Sequence, residues 1–288
     1  MNIRATSQVL GVIGHPVAHS FSPEMHNAAI SALALDYCYT AFHVLPDRVG
    51  DAMRGLRGLN IRGLNVTIPH KLAVMEHMDR ISEDALAVGA VNTISHEAGE
   101  LVGYNTDVYG VLTALREIAG VTTFPEHCVV LGAGGAARAV TYALGNQDGV
   151  KRVTLLNRTS ERAEALAIDM EKITGKTIDV GGMDVGAQTR AFVDAGLVVN
   201  TTSLGMYPNV DASPLADVKA VHPEMVLYDT VFNPLETQLM RAFKSVGAPA
   251  FGGLDMLVYQ GARSFEIWTG TMPPVDVMKK VVVKRFEA

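Results

Sequence analysis

Short apolar runs alternate with segments of helical period along the whole chain, and this alternation constrains the fold more than any other feature. A short strand that is apolar on both faces has to be covered on both. Helices returning between successive strands cover it, so the chain reads as α/β with largely parallel sheets. A length of 288 residues suggests about two domains, each burying its own core.

In the first part of the chain, strands are expected near Val9–Ile13, Tyr37–Val44 and Gly63–Val66, with helices near Pro23–Ala34 and Asp47–Leu56. Ser22 followed by Pro23 reads as an N-cap with proline at the first helical position. Thr93–His96 and Glu100–Tyr104 flank Glu97-Ala98-Gly99 and read as a hairpin at a sheet edge. Helix Val108–Ala119 follows. After Pro125 a second cycle begins, with strands at Cys128–Leu131, Val153–Leu156, Leu197–Asn200 and Met225–Asp229 and helices at Ala136–Gly145 and Ser160–Ile173. Beyond these come a helix near Thr237–Val246, the loop Gly252-Gly253 and a helical pattern over Asp255–Trp268. Nothing there builds a third sheet, so the tail is expected to pack back on an earlier domain.

Composition excludes several classes. Lys and Arg number 24 against 30 Asp and Glu, a net charge of -6 that works against the phosphate neutralisation nucleic-acid binding needs. Cys38 and Cys128 are far apart and suggest neither a disulfide framework nor a thiolate metal site; both are expected as buried reduced thiols. The nine histidines form no H-E-x-x-H, and His15 and His19 have Pro16 between them, so no metal is expected. There is no G-x-S-x-G elbow. Val9–Ile13 is too brief for a signal-peptide core, and no stretch approaches the ~18–20 apolar residues of a membrane span, so a soluble cytoplasmic protein is expected.

Five segments carry chemistry. Gly132-Ala133-Gly134-Gly135-Ala136-Ala137 follows a strand, opens a helix and matches G-x-G-x-x-A. It is either a tight glycine turn or a cradle whose backbone N–H groups approach a pyrophosphate. The next strand ends in Asn157-Arg158-Thr159, with no acid to meet a ribose 2′-OH. Arg158, Thr159 and Arg162 suit a 2′-phosphate instead, favouring NADP over NAD, unless the two arginines are ordinary solvated charges. Ser20 and Ser22 lie in a loop entering a helix, a setting for a small carboxylate or for simple N-capping. Asn65-Val66-Thr67-Ile68-Pro69-His70-Lys71 closes a buried strand, and Asn105-Thr106-Asp107 sits where the two domains would join. Lys71 and Asp107 read either as a proton-transfer pair or as a surface salt bridge; His70 is at most a neighbour of the site.

Taken together these segments, with Ser20-Phe21-Ser22-Pro23, Gly89-Ala90-Val91-Asn92-Thr93, Asn200-Thr201-Thr202-Ser203-Leu204-Gly205-Met206 and Met256-Leu257-Val258-Tyr259-Gln260, resemble the shikimate dehydrogenase family, in its order and over nearly the whole chain. The resemblance implies a substrate domain at residues 1–107, a Rossmann-like NADP domain at 108–245, and a helical segment at 246–288 completing the substrate domain. It implies that Ser20 and Ser22 bind the shikimate carboxylate. Thr67, Asn92, Asp107 and Gln260 hold the ring and its hydroxyls, and Lys71 is the catalytic residue, paired with Asp107. By the same likeness Gly132, Ala133, Gly134, Gly135 and Ala136 receive the pyrophosphate, Asn157, Arg158, Thr159 and Arg162 the 2′-phosphate, and Thr230 and Gly253 the nicotinamide end.

The implied reaction is the reversible transfer of hydride from NADPH to the 3-keto carbon of 3-dehydroshikimate. Two positions depart from the family pattern. Phe232 stands at a substrate-facing position where the family has Tyr, removing one hydroxyl contact, and Val108 follows Asn105-Thr106-Asp107 where Gly is expected. Two other readings stand beside this one: a quinate/shikimate dehydrogenase that also uses NAD, and a non-catalytic sensor of NADP and an aromatic-pathway acid. The oligomeric state, a homodimer included, is left open by the residues.

Overall fold

The structure, a computed structural model, describes residues 3–287. The chain divides into two compact units, one of residues up to Gly110 together with those from Val258 onward, the other Val111–Leu257.

The first unit contains strands β1 (Gln8–Gly14), β2 (Tyr37–His43), β3 (Gly63–Val66), β4 (Arg80–Ile81), β5 (Thr93–Glu97) and β6 (Glu100–Tyr104). Helices α1 (Ser22–Ala32), α2 (Val49–Gly58) and α3 (Glu83–Val88) lie between them, and α4 (Asp107–Glu117) follows β6. The strands form one sheet in the order β2-β1-β3-β5-β6-β4. β1 runs parallel to β2 and β3, and β5 is antiparallel to both β3 and β6. The β5–β6 hairpin turns through Ala98 and Gly99, both at positive φ (50° and 90°), the conformation a tight hairpin demands. It is not at the sheet edge as expected, because the two-residue β4 pairs parallel with β6 and covers it. A strand that short leaves no alternation to read.

The second unit is an all-parallel sheet of β7 (His127–Leu131), β8 (Arg152–Leu156), β9 (Thr177–Gly181), β10 (Leu197–Asn200), β11 (Val226–Asp229) and β12 (Ala250–Gly252). Helices α5 (Gly135–Gly145), α6 (Ser160–Thr174), α7 (Val185–Phe192) and α8 (Gln238–Ser245) connect them. The order β12-β11-β10-β7-β8-β9 reverses direction between β7 and β10, which marks the switch point of a doubly wound sheet. The last helices are α9 (Leu254–Thr269) and α10 (Val275–Glu287).

Three expectations need correction. The tail was expected to leave the second domain at 246, yet Ala250–Gly252 pairs in parallel with β11, so residues 246–257 belong to the second unit. The division falls inside α4 and α9, where unbroken helical periodicity hides it. Ser22 is not the N-cap of α1: the cap position is Phe21, no side chain caps the helix, and Ser22 is its first residue. Cys128 is buried, which pushes its thiol up to about 12, whereas Cys38 is only half-buried.

Each sheet carries its own core. In the first unit Ile13, Met53, Leu56, Leu64, Val91, Ile94 and Leu101 pack together. Leu131, Phe192, Val198, Leu227, Leu239 and Phe243 do so in the second. Trp268, from α9, is fully buried in the first unit and donates its indole N–H to the Ile94 carbonyl at 2.9 Å. Among the described residues no helix is long and apolar enough to cross a membrane.

Beside Trp268 lies His26, completely buried and stacked on Tyr39 with ring centroids 4.3 Å apart. Neither ring nitrogen has a hydrogen-bond partner among the described residues. Burial lowers its pKa from 6.5 to about 3, with the Asn65 side chain pulling the other way. The unfolded chain therefore binds a proton that the folded chain refuses. The stability tied to a neutral His26 is whole above pH 6.5 and is lost as pH falls toward 3, at up to about 1.4 kcal/mol per unit. Urea midpoints measured from pH 7 to 4.5 should fall less steeply in His26→Phe than in the parent; equal slopes would show that another group governs the acid sensitivity.

Candidate active site

In the first sheet, β1, β2, β3 and β6 point the same way and β5 the opposite way. The C-terminal ends of the former and the N-terminal end of β5 thus share one edge. Four segments emerge there: the loop from His15 to Ser22, the stretch Thr67–Lys71, Asn92, and Asn105–Asp107. Backbone bonds tie them together: Thr67 N–H to Ile13 O, Val91 N–H to Lys71 O and Asn92 N–H to Tyr104 O, all at 2.9–3.0 Å.

Lys71 Nζ lies 2.6 Å from Asp107 Oδ2, with side chains 24% and 12% exposed, so a small molecule can reach the pair while most bulk water is kept off. The other carboxylate oxygen of Asp107 accepts from Asn92 Nδ2 at 2.9 Å. That amide is also 3.0 Å from Thr106 Oγ1 and 3.5 Å from Gln260 Oε1, while Asn92 Oδ1 accepts from the Thr106 N–H. Asp107 is the first residue of α4, where a negative charge meets the positive end of the helix dipole. The arrangement holds one ammonium against one carboxylate at a fixed, partly dry point, which is what a proton donor and acceptor needs.

Beneath this pair is a polar layer with no exposed member. Ser264 Oγ, from α9, is 2.7 Å from Thr93 Oγ1, 3.1 Å from Thr106 Oγ1 and 3.0 Å from Asn65 Nδ2, and donates to the Gln260 carbonyl. Asn65 Oδ1 accepts from the Tyr39 hydroxyl at 2.7 Å. Burial pushes the Tyr39 phenol well above its ordinary pKa, with the Ser22 hydroxyl acting in the opposite sense. Thr67 is half-buried, and its hydroxyl has no hydrogen bond among the described residues. Ser20 is half-buried and Ser22 buried, and the Ser22 N–H donates to Ser20 Oγ at 3.2 Å. His70 is turned away, with Nε2 2.8 Å from the Val44 carbonyl in the core.

The second unit carries the glycine turn at its switch point. Gly132 follows β7 at φ +111°, and a Cβ there would stand 2.7 Å from Oγ1 of Thr201, which follows β10 across the switch. At Gly134 and Gly135 an added Cβ would meet nothing within 4 Å, so nothing inside the chain requires glycine at either position. The first turn of α5 has no side-chain cap. Open space over uncapped N–H groups at a helix start fits a dinucleotide's pyrophosphate. Arg158, Thr159 and Arg162 are exposed just past β8, and neither arginine makes an ion pair among the described residues; Asn157 Nδ2 donates to the Thr159 carbonyl at 2.8 Å. Thr230 N–H donates to Asn200 O, and Gly253 N–H to Val231 O. Between them Asp229 is buried, which raises its pKa, and accepts from Thr237, the Val231 N–H and Asn200. Among the described residues no three His, Cys, Asp or Glu side chains gather as metal ligands.

Comparison with known proteins matches residues 12–94 to a shikimate dehydrogenase substrate-binding domain, 116–185 to a shikimate/quinate 5-dehydrogenase domain and 253–283 to a shikimate 5′-dehydrogenase C-terminal domain. A relative from Methanopyrus kandleri, shikimate dehydrogenase (NADP(+)), is 45% identical over 99% of this chain and 98% of its own. The chain belongs to the shikimate dehydrogenase family. Solved structures agree. A family member in complex with NADP+ superposes with a TM-score of 0.93 at 42% identity, covering 99% of this chain and 97% of that one. The Thermus thermophilus enzyme in complex with NADP(H) and shikimate gives 0.85 at 37% identity, covering 96% and 99%.

Set against this shikimate dehydrogenase framework, Lys71, Asp107, Asn92 and Gln260 lie in one hydrogen-bonded cluster, with Thr67, Ser20 and Ser22 in segments leaving the same sheet edge. Phe232, half-buried, lies in the loop after β11 in the second unit, as do Thr230 and Gly253 near their strand ends. Tyr39, Thr93 and Ser264 were not singled out from the sequence. A hydroxyl in a strand or helix otherwise apolar on that face was the available signal.

Proposed function

We propose that this chain catalyses the reversible NADPH-dependent reduction of 3-dehydroshikimate to shikimate, in aromatic amino-acid biosynthesis. The observation that carries the reading is the 2.6 Å contact of Lys71 with Asp107, held from the other side by Asn92. It occurs in a chain whose full-length relatives are named as NADP-dependent shikimate dehydrogenases.

NADP(H), when bound, supplies or accepts the hydride at the ring carbon bearing the reacting oxygen. In the reducing direction Lys71 Nζ gives a proton to that oxygen as negative charge grows on it, and in the oxidising direction it takes the proton back. Asp107 holds the Lys71 ammonium in place, and Asn92 orients Asp107. Thr67 and Gln260 receive ring hydroxyls. Ser20 and Ser22 receive the carboxylate at the start of α1, where the helix dipole favours an anion. Phe232 offers the substrate a ring without a hydroxyl. In the second unit the Gly132–Ala136 turn takes the pyrophosphate, Asn157, Arg158, Thr159 and Arg162 the 2′-phosphate side, and Thr230 and Gly253 the nicotinamide end.

Initial rates with shikimate and quinate, each with NADP+ and NAD+, test the whole reading. Shikimate with NADP+ should give the highest kcat/KM. The family model over 116–185 is described for shikimate and quinate alike, so some quinate turnover is compatible with the proposal. A large preference for NAD+ would overturn the cofactor assignment, and no turnover with either acid would favour a binding-only sensor.

A further inference from the structure

The loop that carries Ser20 and Ser22 is gripped by a residue 265 positions from it in the chain. Arg285, on α10, donates from Nη1 to the Ser20 carbonyl at 3.0 Å and to Glu24 Oε1 at 3.0 Å. Its guanidinium carbon lies over the Phe21 ring, 4.2 Å from the centroid, and Phe286 stacks on that ring at 5.2 Å. Ser20 and Phe21 of the loop and Glu24 in the first turn of α1 are thereby tied to a helix that packs along α1.

Among the described residues the loop bonds from His15 N–H to Ile68 O, from Ser20 N–H to Val17 O and from Ser22 N–H to Ser20 Oγ, and the helix that follows has no side-chain cap. A peptide unit is planar, so fixing the Ser20 carbonyl fixes the plane shared with Phe21 and limits how the two serine hydroxyls can be presented. Glu24 adds an electrostatic consequence. It places a negative charge one helical turn or less from both serines, where it would repel an incoming carboxylate, and the Arg285 ion pair offsets that charge.

We infer that Arg285 is a positioning residue for the substrate carboxylate: it sets the Ser20–Phe21 peptide and neutralises Glu24 beside it. The inference rests on the reading that Ser20 and Ser22 receive that carboxylate. Steady-state kinetics at saturating NADP+ with shikimate and with its methyl ester test it. Arg285→Ala should raise KM for shikimate about tenfold, the scale of one lost hydrogen bond to a charged group, with kcat within about twofold. The ester, which has no charge to repel or orient, should show no such rise. Adding Glu24→Gln to Arg285→Ala should recover part of the loss, and Arg285→Lys, which keeps the charge, should fall between the two.

If KM rises equally for acid and ester, Arg285 merely supports the fold and the inference is overturned. If Ser20→Ala and Ser22→Ala raise KM for shikimate but neither Arg285 variant does, the inference falls while the carboxylate site stands. If the serine variants also leave KM unchanged, both fall.

Discussion

Replacing Lys71 by Ala should lower kcat for shikimate oxidation by about 10²–10⁴-fold, the range that positioned proton transfer contributes. The contacts of Lys71 predict that this loss comes from chemistry and not from folding. Lys71 is partly exposed and, among the described residues, its ammonium forms its ion pair with Asp107, while Asp107 keeps its bond from Asn92 when the lysine is gone. NADP+ affinity, measured by fluorescence titration, should therefore be unchanged and thermal stability nearly so. Lys71→Arg should not rescue turnover, since a guanidinium does not release its proton near neutrality. Asp107→Asn should fall between parent and Lys71→Ala, because the amide still fills the space but no longer holds the ammonium by charge. A Lys71→Ala variant within tenfold of the parent in kcat would remove Lys71 from the proton path.

The second large effect concerns the cofactor. Arg158→Asp combined with Arg162→Ala should raise KM for NADP+ by about 10²-fold or more, since each charge-assisted bond to a phosphate is worth roughly 1.5–3 kcal/mol. KM for NAD+ should stay level or fall, because a carboxylate at position 158 can accept from a ribose 2′-OH. Both arginines are exposed and free of internal ion pairs among the described residues, so the change should leave stability within a few tenths of a kcal/mol. The measured quantity is the ratio of kcat/KM for the two cofactors. If that ratio is unmoved, the 2′-phosphate is recognised elsewhere and these two arginines are solvated charges.

What was legible from residue order was whatever depends on neighbours in the chain. Apolar runs such as Leu197–Asn200 place strands, since a strand's burial pattern repeats every second residue or fills both faces. The turn from Gly132 to Ala136 announces itself because the backbone conformation, the close approach and the helix start all belong to consecutive residues. Arg158 stands where it does because β8 ends at Leu156.

Only the tertiary structure decided what depends on distant segments arriving at one place. Lys71 and Asp107 are 36 residues apart, and nothing local distinguishes them from a solvated pair. They meet because an antiparallel hairpin sits beside β3 in an otherwise parallel sheet, returning Asn92 and Asp107 to the edge where Lys71 leaves it. β4 and β12 are too short to carry a period and exist because a neighbouring strand offers hydrogen bonds. The buried hydroxyls of Thr93 and Ser264, and the grip of Arg285 on Ser20, follow the same logic. A polar group's partner is set by which chain ends pack together, and that is a property of the folded core and not of the order of residues.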